Sequence, residues 1–216
     1  LMYFYPMHID QPLLDVISAS ERILPYIDMP LQHISDTMLR RMSRRVTRAE
    51  TENLLQVLRE SIDNLTLRTT LITGFPGETE ADFLEMKEFV QQQAFDHLGV
   101  FTYSHESTTP SADFPGHHSE EEKNRRRDTI MEVQQQIACT RAAARVGEQL
   151  DVLIDQPLDS DANAWVGRTA GDAPDVDAVV YVTGEKFPLQ AGHIVNCEVV
   201  ASKDYDLVAC ATQDPR

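Results

Sequence analysis

The chain has 216 residues, 42% of them hydrophobic and 25% charged, and a formal net charge of −16. That is enough for one large domain, or a medium and a small one, each with a core. No apolar run approaches the roughly 18 residues of a membrane span, no signal-peptide pattern is present, and the acidity suits a basic protein partner better than a phosphate backbone.

The three cysteines, Cys139, Cys197 and Cys210, are widely spaced. They form no CxxC or CxxxCxxC motif, which points to a reducing compartment and away from both a disulfide framework and a cysteine-bound metal or cluster in this stretch. The chain opens in mid-strand at Leu1-Met2-Tyr3-Phe4-Tyr5, without an initiator Met, and reads as a fragment lacking its N-terminal part.

Met2–Tyr5 reads as a strand end and Tyr5–His8 as a loop. Asp10 caps a helix with Pro12 in its first turn that runs to about Ala19. Tyr26–Gln32 is the next strand despite Pro30, with Ile27, Met29 and Leu31 on one face and Asp28, Pro30 and Gln32 on the other. The polar face suggests a barrel with a working interior. Ser35 begins a short helix, Asp36–Met42. Five arginines then fall within residues 40–48, a basic patch fit for a phosphate, a carboxylate or an RNA, or simply solvated at a helix end.

Thr47–Glu50 is a capping box, and Leu54, Leu55, Leu58 and Ile62 mark one helix face. In the strand 67–73, Leu67, Thr69 and Leu71 alternate with Arg68, Thr70 and Ile72. Gly74-Phe75-Pro76-Gly77-Glu78 then makes a tight turn before a helix capped by Thr79. That turn is either a plain strand-to-helix connection or a place where backbone approaches an oxygen-rich or anionic ligand. The helix, about 80–93, buries Phe83, Met86, Phe89 and Val90, and Leu98–Ser104 is the next strand. Alternating strands and helices imply a parallel sheet or barrel, with ligands at the carboxyl ends of the strands.

A turn-rich stretch, 105–118, leads to a long helix that starts at Ser119 and stops at Gly147. Its apolar stripe runs through Ile130, Val133, Ile137 and Ala144. Beyond it come five short strands, Leu150–Asp155, Ala164–Arg168, Ala178–Thr183, Ile194–Ala201 and Tyr205–Ala211, which suggest a small closed barrel of the oligonucleotide-binding kind. Residues 151–216 hold four basic side chains against twelve acidic ones.

Tyr5-Pro6-Met7-His8, the stretch from Ile23 to His33 with its Pro-Leu-Gln-His, Arg41-Met42-Ser43-Arg44-Arg45, Gly74–Thr79 and Ala173–Asp177 together resemble the radical SAM methylthiotransferases, over nearly the whole chain. Within that family the stretches around Gln32 and Asp175 resemble the branch that modifies a small-subunit ribosomal protein. The Gly74–Thr79 stretch is shared with the tRNA enzymes of the MiaB type.

The resemblance implies an α/β fold. Residues 1–146 would form part of a radical SAM TIM-like barrel, from the end of the third strand through the sixth, with a trailing helix. Residues 147–212 would form a TRAM domain, a small all-β, OB-like barrel. It also implies the cofactors: S-adenosylmethionine and two 4Fe-4S clusters in the full-length protein, with cluster ligands outside this chain. In the family, a reduced cluster cleaves S-adenosylmethionine to a radical that removes hydrogen from the β-carbon of an aspartate. A second cluster supplies sulfur, and another S-adenosylmethionine the methyl group.

Strand phase plus the resemblance assigns Gln32, Arg68, Thr70, Gly74, Phe75, Gly77 and Tyr103 to S-adenosylmethionine. Asp28 is a weaker candidate for the same ligand, His33 is a candidate acid or base that equally suits a structural or solvated loop histidine, and no residue here is assigned to catalysis or metal binding. Arg44, Arg45, Trp165 and Tyr205, with Tyr181 nearby in sequence type, are candidates for the substrate surface; Trp165, Tyr181 and Tyr205 equally suit a small core. The implied partners are a basic ribosomal protein and an electron donor, in the cytoplasm, with no membrane and RNA less favoured. The alternatives are a tRNA methylthiotransferase and a non-catalytic partner-binding fragment.

Overall fold

The computed structural model describes residues 1–158, 163–184 and 187–216. They pack as two compact units, Leu1–Gln134 and Gln135–Arg216. The division falls inside the long helix, ahead of Gly147.

The first unit carries helices α1 (Gln11–Ala19), α2 (Asp36–Arg41), α3 (Arg48–Ser61) and α4 (Glu80–Gln93) and strands β1 (Tyr26–Asp28), β2 (Thr66–Thr73) and β3 (His97–Thr102). The strands form a parallel sheet in the order β1-β2-β3. Parallel pairing demands crossover connections, and α2–α3 and α4 supply them. The helix starts follow the expected chemistry. Asp10 accepts from the Leu13 amide at 3.1 Å, and full capping boxes join Thr47 to Glu50 and Thr79 to Asp82. Ser35 stands at the start of α2 but caps nothing; its hydroxyl donates to Asp82 at 2.5 Å instead.

Strand β2 alternates without a break: Leu67, Thr69, Leu71 and Thr73 are buried, while Arg68, Thr70 and Ile72 are half-exposed on the opposite face. The buried set belongs to a core that includes Leu55 and Leu58 of α3 and Phe83, Met86, Phe89 and Val90 of α4.

Two expectations fail near the start of the chain. Met2–Tyr5 is not a strand, because Tyr3 takes the left-handed φ of 58°. Around that kink Leu1 still bonds Tyr26 and Asp28, and the Phe4 amide still donates to the Asp28 carbonyl at 2.8 Å. Tyr5–His8 is not a plain loop: Pro6–His8 forms one 3-10 turn.

The strand expected over Tyr26–Gln32 ends at Asp28, with an isolated bridge from Gln32 to Leu71. The cause is Pro30, which has no amide hydrogen for the ladder. Thr69 of β2 repairs the gap. Its hydroxyl donates to the Met29 carbonyl at 2.9 Å and accepts from the Leu31 amide at 3.4 Å. Thr69→Val keeps the shape and strands the buried carbonyl. We expect a loss of about 1–3 kcal/mol in urea unfolding; an unchanged midpoint would show that the hydroxyl bridge carries no weight.

Helix α5 (Glu120–Ala144) runs across the division. Ile130 is buried as expected, and near the end of the helix Ala142 is buried in place of Ala144. The chain turns at Gly147, whose φ of +92° a side chain would resist. Strands β4 (Gln149–Pro157), β5 (Ala164–Arg168), β6 (Val180–Thr183), β7 (Ile194–Lys203) and β8 (Asp206–Ala211) then form a closed barrel in the order β4-β5-β6-β8-β7. The core of this second unit contains Val152, Ile154, Val182, Val195, Val199 and Ala209, with Trp165 packed against it. Among the described residues no helix is long and apolar enough to cross a membrane.

Candidate functional site

A cavity of about 300 Å³ opens at the carboxyl ends of the parallel strands, at the small end of the range for ligand pockets. Gln32, Ile72, Phe75 and Phe114 line it, with Arg41, Met42, Ser43 and Arg44 on one wall and Pro110 and Ser111 on another. Gln32 takes a φ of 71° and Ser43 one of 57°. Left-handed backbone at residues other than glycine is costly, and it concentrates at functional sites.

Of the residues singled out from sequence, the cavity gathers Gln32, Phe75 and Arg44. Arg68 and Thr70 lie on the half-exposed face of β2, in register with His97 and Gly99 of β3. Nothing lies within 4 Å of the place a Gly99 side chain would take, so this face is open there. Asp28 is fully buried and its carboxylate pairs with Arg68 at 3.1 Å, which makes it an anchor for that arginine. Arg45 is exposed, and its amide lies 3.4 Å from the Tyr5 hydroxyl. Trp165 and Tyr181 are half-buried and Tyr205 is 44% exposed, all within the second unit.

The glycine turn does something other than expected. A side chain on Gly74 would meet Lys123 Cγ at 2.2 Å, and one on Gly77 would meet the Arg41 guanidinium at 3.0 Å. The close approach that these glycines permit is therefore to the protein's own side chains. Their amides are engaged too: Gly74 donates to Glu78 at 2.9 Å and Gly77 to the Gly116 carbonyl at 2.8 Å. The start of α4 carries its own acids, Glu80 and Asp82. It is thus no anion site.

Tyr103 stands behind the cavity wall. It is 8% exposed, and packs edge-on against Phe75 at 5.2 Å between ring centres. Its hydroxyl donates to Ser111 at 3.0 Å. It backs the cavity wall without lining it.

Behind the turn lies a charge network that spacing alone did not reveal. The Glu78 side chain is fully buried. It accepts from Arg126 at 2.5 Å, and Arg126 also donates to the Glu78 carbonyl at 3.1 Å. His33 is buried as well: Nδ1 accepts from the amides of Ile34 and Ser35 at 2.9 and 3.0 Å. Nε2 is left to carry the hydrogen, 3.5 Å from Glu78 and long for a hydrogen bond. His33 is thus held through Nδ1, and its buried Nε2 has no hydrogen-bond partner. Lys123, one turn before Arg126, donates to the Tyr103 carbonyl at 2.9 Å. The only available signal was an isolated Glu in an apolar turn together with a run of arginines, Arg125–Arg127, in a later helix.

Burial would raise the pKa of Glu78, and the contacts of His33 and Arg126 outweigh it, so the group sits below the ordinary 4.5. Glu122, hydrogen-bonded by Arg125 and Arg126, is drawn down to about 2. Both groups bind protons less readily folded than unfolded. Their stabilisation is therefore complete above about pH 4.5 and is lost as the pH falls through the folded values. We expect a Tm that is flat from neutral pH down to about pH 4.5 and falls below it, with a shallower fall in Glu78→Gln; the same slope in both proteins would contradict the assignment.

Two family models match the chain: the Radical SAM superfamily over residues 6–90 and the TRAM domain over residues 146–211. The parallel sheet and closed barrel thus belong to a radical SAM protein that carries a TRAM domain. An Escherichia coli coproporphyrinogen III oxidase, HemN, described as a radical SAM enzyme, shares the fold. Its TM-score is 0.50 at 22% identity, over 67% of this chain and 33% of that one.

Ribosomal protein uS12 methylthiotransferase RimO of Lachnoclostridium phytofermentans is 43% identical over 211 residues, 98% of this chain and 48% of that protein. RimO of Clostridioides difficile is 40% identical, over 96% of this chain and 46% of that protein. RimO of Syntrophus aciditrophicus is 43% identical, over 100% and 48%. The chain is similar to these RimO proteins over nearly all of its own length, through both units, and spans about half the length of the curated relatives it matches.

The residues present fit one of the family's cofactor types and not the other. Apolar and aromatic walls beside Gln32, Ser111 and two arginines suit a ligand with an aromatic base and charged ends, such as S-adenosylmethionine, and Arg41 Nη2 is a buried nitrogen without a partner. An iron–sulfur cluster has no ligand set here. Among the described residues no three His, Cys, Asp or Glu side chains converge, and the cysteines are free.

Proposed function

We propose that this chain is the C-terminal part of an iron–sulfur, S-adenosylmethionine-dependent enzyme that methylthiolates the β-carbon of an aspartate in ribosomal protein uS12. The observation that carries the reading is the 43% identity to a RimO over 98% of this chain, through both units. When bound, S-adenosylmethionine with its cluster and an electron donor supplies the hydrogen abstraction and the methyl group.

This chain's residues hold and shield. Gln32 and Phe75 grip the cofactor at the cavity, and Arg68 and Thr70 along the sheet face. Gly74, Gly77 and Tyr103 act from behind, by keeping Phe75 in place. Arg44 and Arg45 meet the substrate at the cavity mouth, and Trp165 and Tyr205 of the second unit meet it elsewhere. Two RimO-like clusters are held by residues outside this chain. The acidic 147–212 barrel, with four basic against twelve acidic side chains beyond residue 150, attracts a basic protein and repels RNA. Three free cysteines suit the reducing cytoplasm.

The test is the full-length protein, reconstituted without oxygen and given uS12, tRNA and S-adenosylmethionine together. We expect the mass of one methylthio group on an aspartate of uS12. The same modification on tRNA alone would replace this reading with the MiaB type, and no modification of either would favour a binding module.

A further inference from the structure

Arg41 and Arg44 are the two arginines that line the cavity, and they differ from the arginines that are tied up in ion pairs. Arg48 pairs with Glu52 and Glu85, Arg68 with Asp28, and Arg126 with Glu78. Arg41 and Arg44 have no carboxylate partner among the described residues, although the chain carries a net charge of −16. Both line the cavity.

Arg41 is fixed. Its Nε donates to the Pro76 carbonyl at 3.1 Å, its guanidinium lies 4.9 Å over the Phe114 ring, and its Nη2 is buried with nothing to donate to. Arg44 is half-buried and held only by a stacking contact, 5.3 Å over the Tyr5 ring. Both charges face one cavity without a carboxylate partner, and an anion in that cavity is attracted to both. Ser43 and Ser111 add hydroxyls to the same walls.

We infer that this wall is a carboxylate subsite, in which Arg44, backed by the charge of Arg41, receives the acidic side chain that is to be modified and selects aspartate over asparagine. The inference rests on the proposed reading that the substrate is an aspartate of a protein. A guanidinium fork matches a planar carboxylate with two parallel hydrogen bonds. The apolar walls of Ile72, Phe75 and Phe114 lie beside the arginines, so the methylene of an aspartate has a surface to rest on while its carboxylate meets the guanidinium. A nucleic-acid backbone would need a long basic track, and here it would meet a strongly acidic chain. Gln32 and Phe75 form the wall that this subsite shares with the cofactor.

The experiment uses the full-length protein with S-adenosylmethionine bound, titrated calorimetrically with two peptides from around the modified position of uS12, one with Asp there and one with Asn. We expect the wild type to prefer the Asp peptide by about tenfold or more, as suits a charged hydrogen bond lost from a partly buried group. Arg44→Gln should bind both peptides at the affinity of the Asn peptide, and Arg44→Lys should keep only part of the preference. Equal wild-type affinity for the two peptides overturns the inference and leaves the proposed function standing. Binding of neither peptide overturns both. If Arg44→Gln weakens S-adenosylmethionine instead and leaves the Asp-to-Asn ratio unchanged, the arginine belongs to the cofactor and the inference falls.

Discussion

Arg126→Met is expected to cost about 3–5 kcal/mol of folding stability, the range seen when one partner of a buried ion pair is removed, and to lower the Tm by roughly 10 °C. Arg126 is 5% exposed at its side chain and Glu78 not at all. Methionine fills much the same volume, so the loss is chiefly electrostatic. The Glu78 carboxylate would keep the Gly74 amide and the distant His33 nitrogen, too little for a full charge held away from water. Glu78→Gln combined with Arg126→Met removes the charge that the single variant strands, and should recover a good part of the loss. A single variant within about 1 kcal/mol of wild type in thermal and urea unfolding, on the scale of a surface pair, would show that water reaches this network freely.

Gly74→Ala is the second large effect, expected at about 2–5 kcal/mol. Two costs combine. The backbone has a φ of +72°, which costs a residue with a Cβ about 1–2 kcal/mol. The new methyl would also lie 2.2 Å from Lys123 Cγ, and overpacking adds about 1–3 kcal/mol. Lys123 has little freedom to yield, because Cγ is near its backbone and its Nζ is tied to the Tyr103 carbonyl and to Glu120. Lys123→Ala in the same chain should relieve the clash but not the backbone cost, so the double variant should fall short of additivity. Strict additivity would mean that the methyl finds room elsewhere. Because the turn carries Phe75 to the cavity, the single variant should also weaken ligand binding there.

The features that could be read from sequence were those whose cause is local. Asp10, Thr47 and Thr79 sit within three residues of the amides they cap, so spacing alone identified three helix starts. The alternation of Leu67, Thr69 and Leu71 with Arg68, Thr70 and Ile72 revealed both faces of β2, because a pleated strand has a fixed period. The five strands of the barrel were legible for the same reason, bounded by turns rich in Asp, Gly and Pro.

What was not legible depends on residues far apart in the chain. Gly74 and Gly77 looked like places for a ligand because nothing nearby in sequence announces Lys123 or Arg41. His33 looked chemical until both ring nitrogens were found facing the protein's own groups. Phe114 and Ser111, which complete the cavity, come from a stretch that sequence showed only as turns. Gln32 was found by strand phase, although the strand had already broken at Pro30; Thr69 holds the register across the gap, and so the phase survived.

The ring of strands in the second unit has a consequence for its motions. Each of its five strands has a partner on both sides, whereas β3 in the first unit pairs on one side only among the described residues. Amide protons in β4 to β8 therefore have no free margin from which to fray. They should exchange with deuterated water slowly and nearly together, while those on the outer side of β3 exchange early.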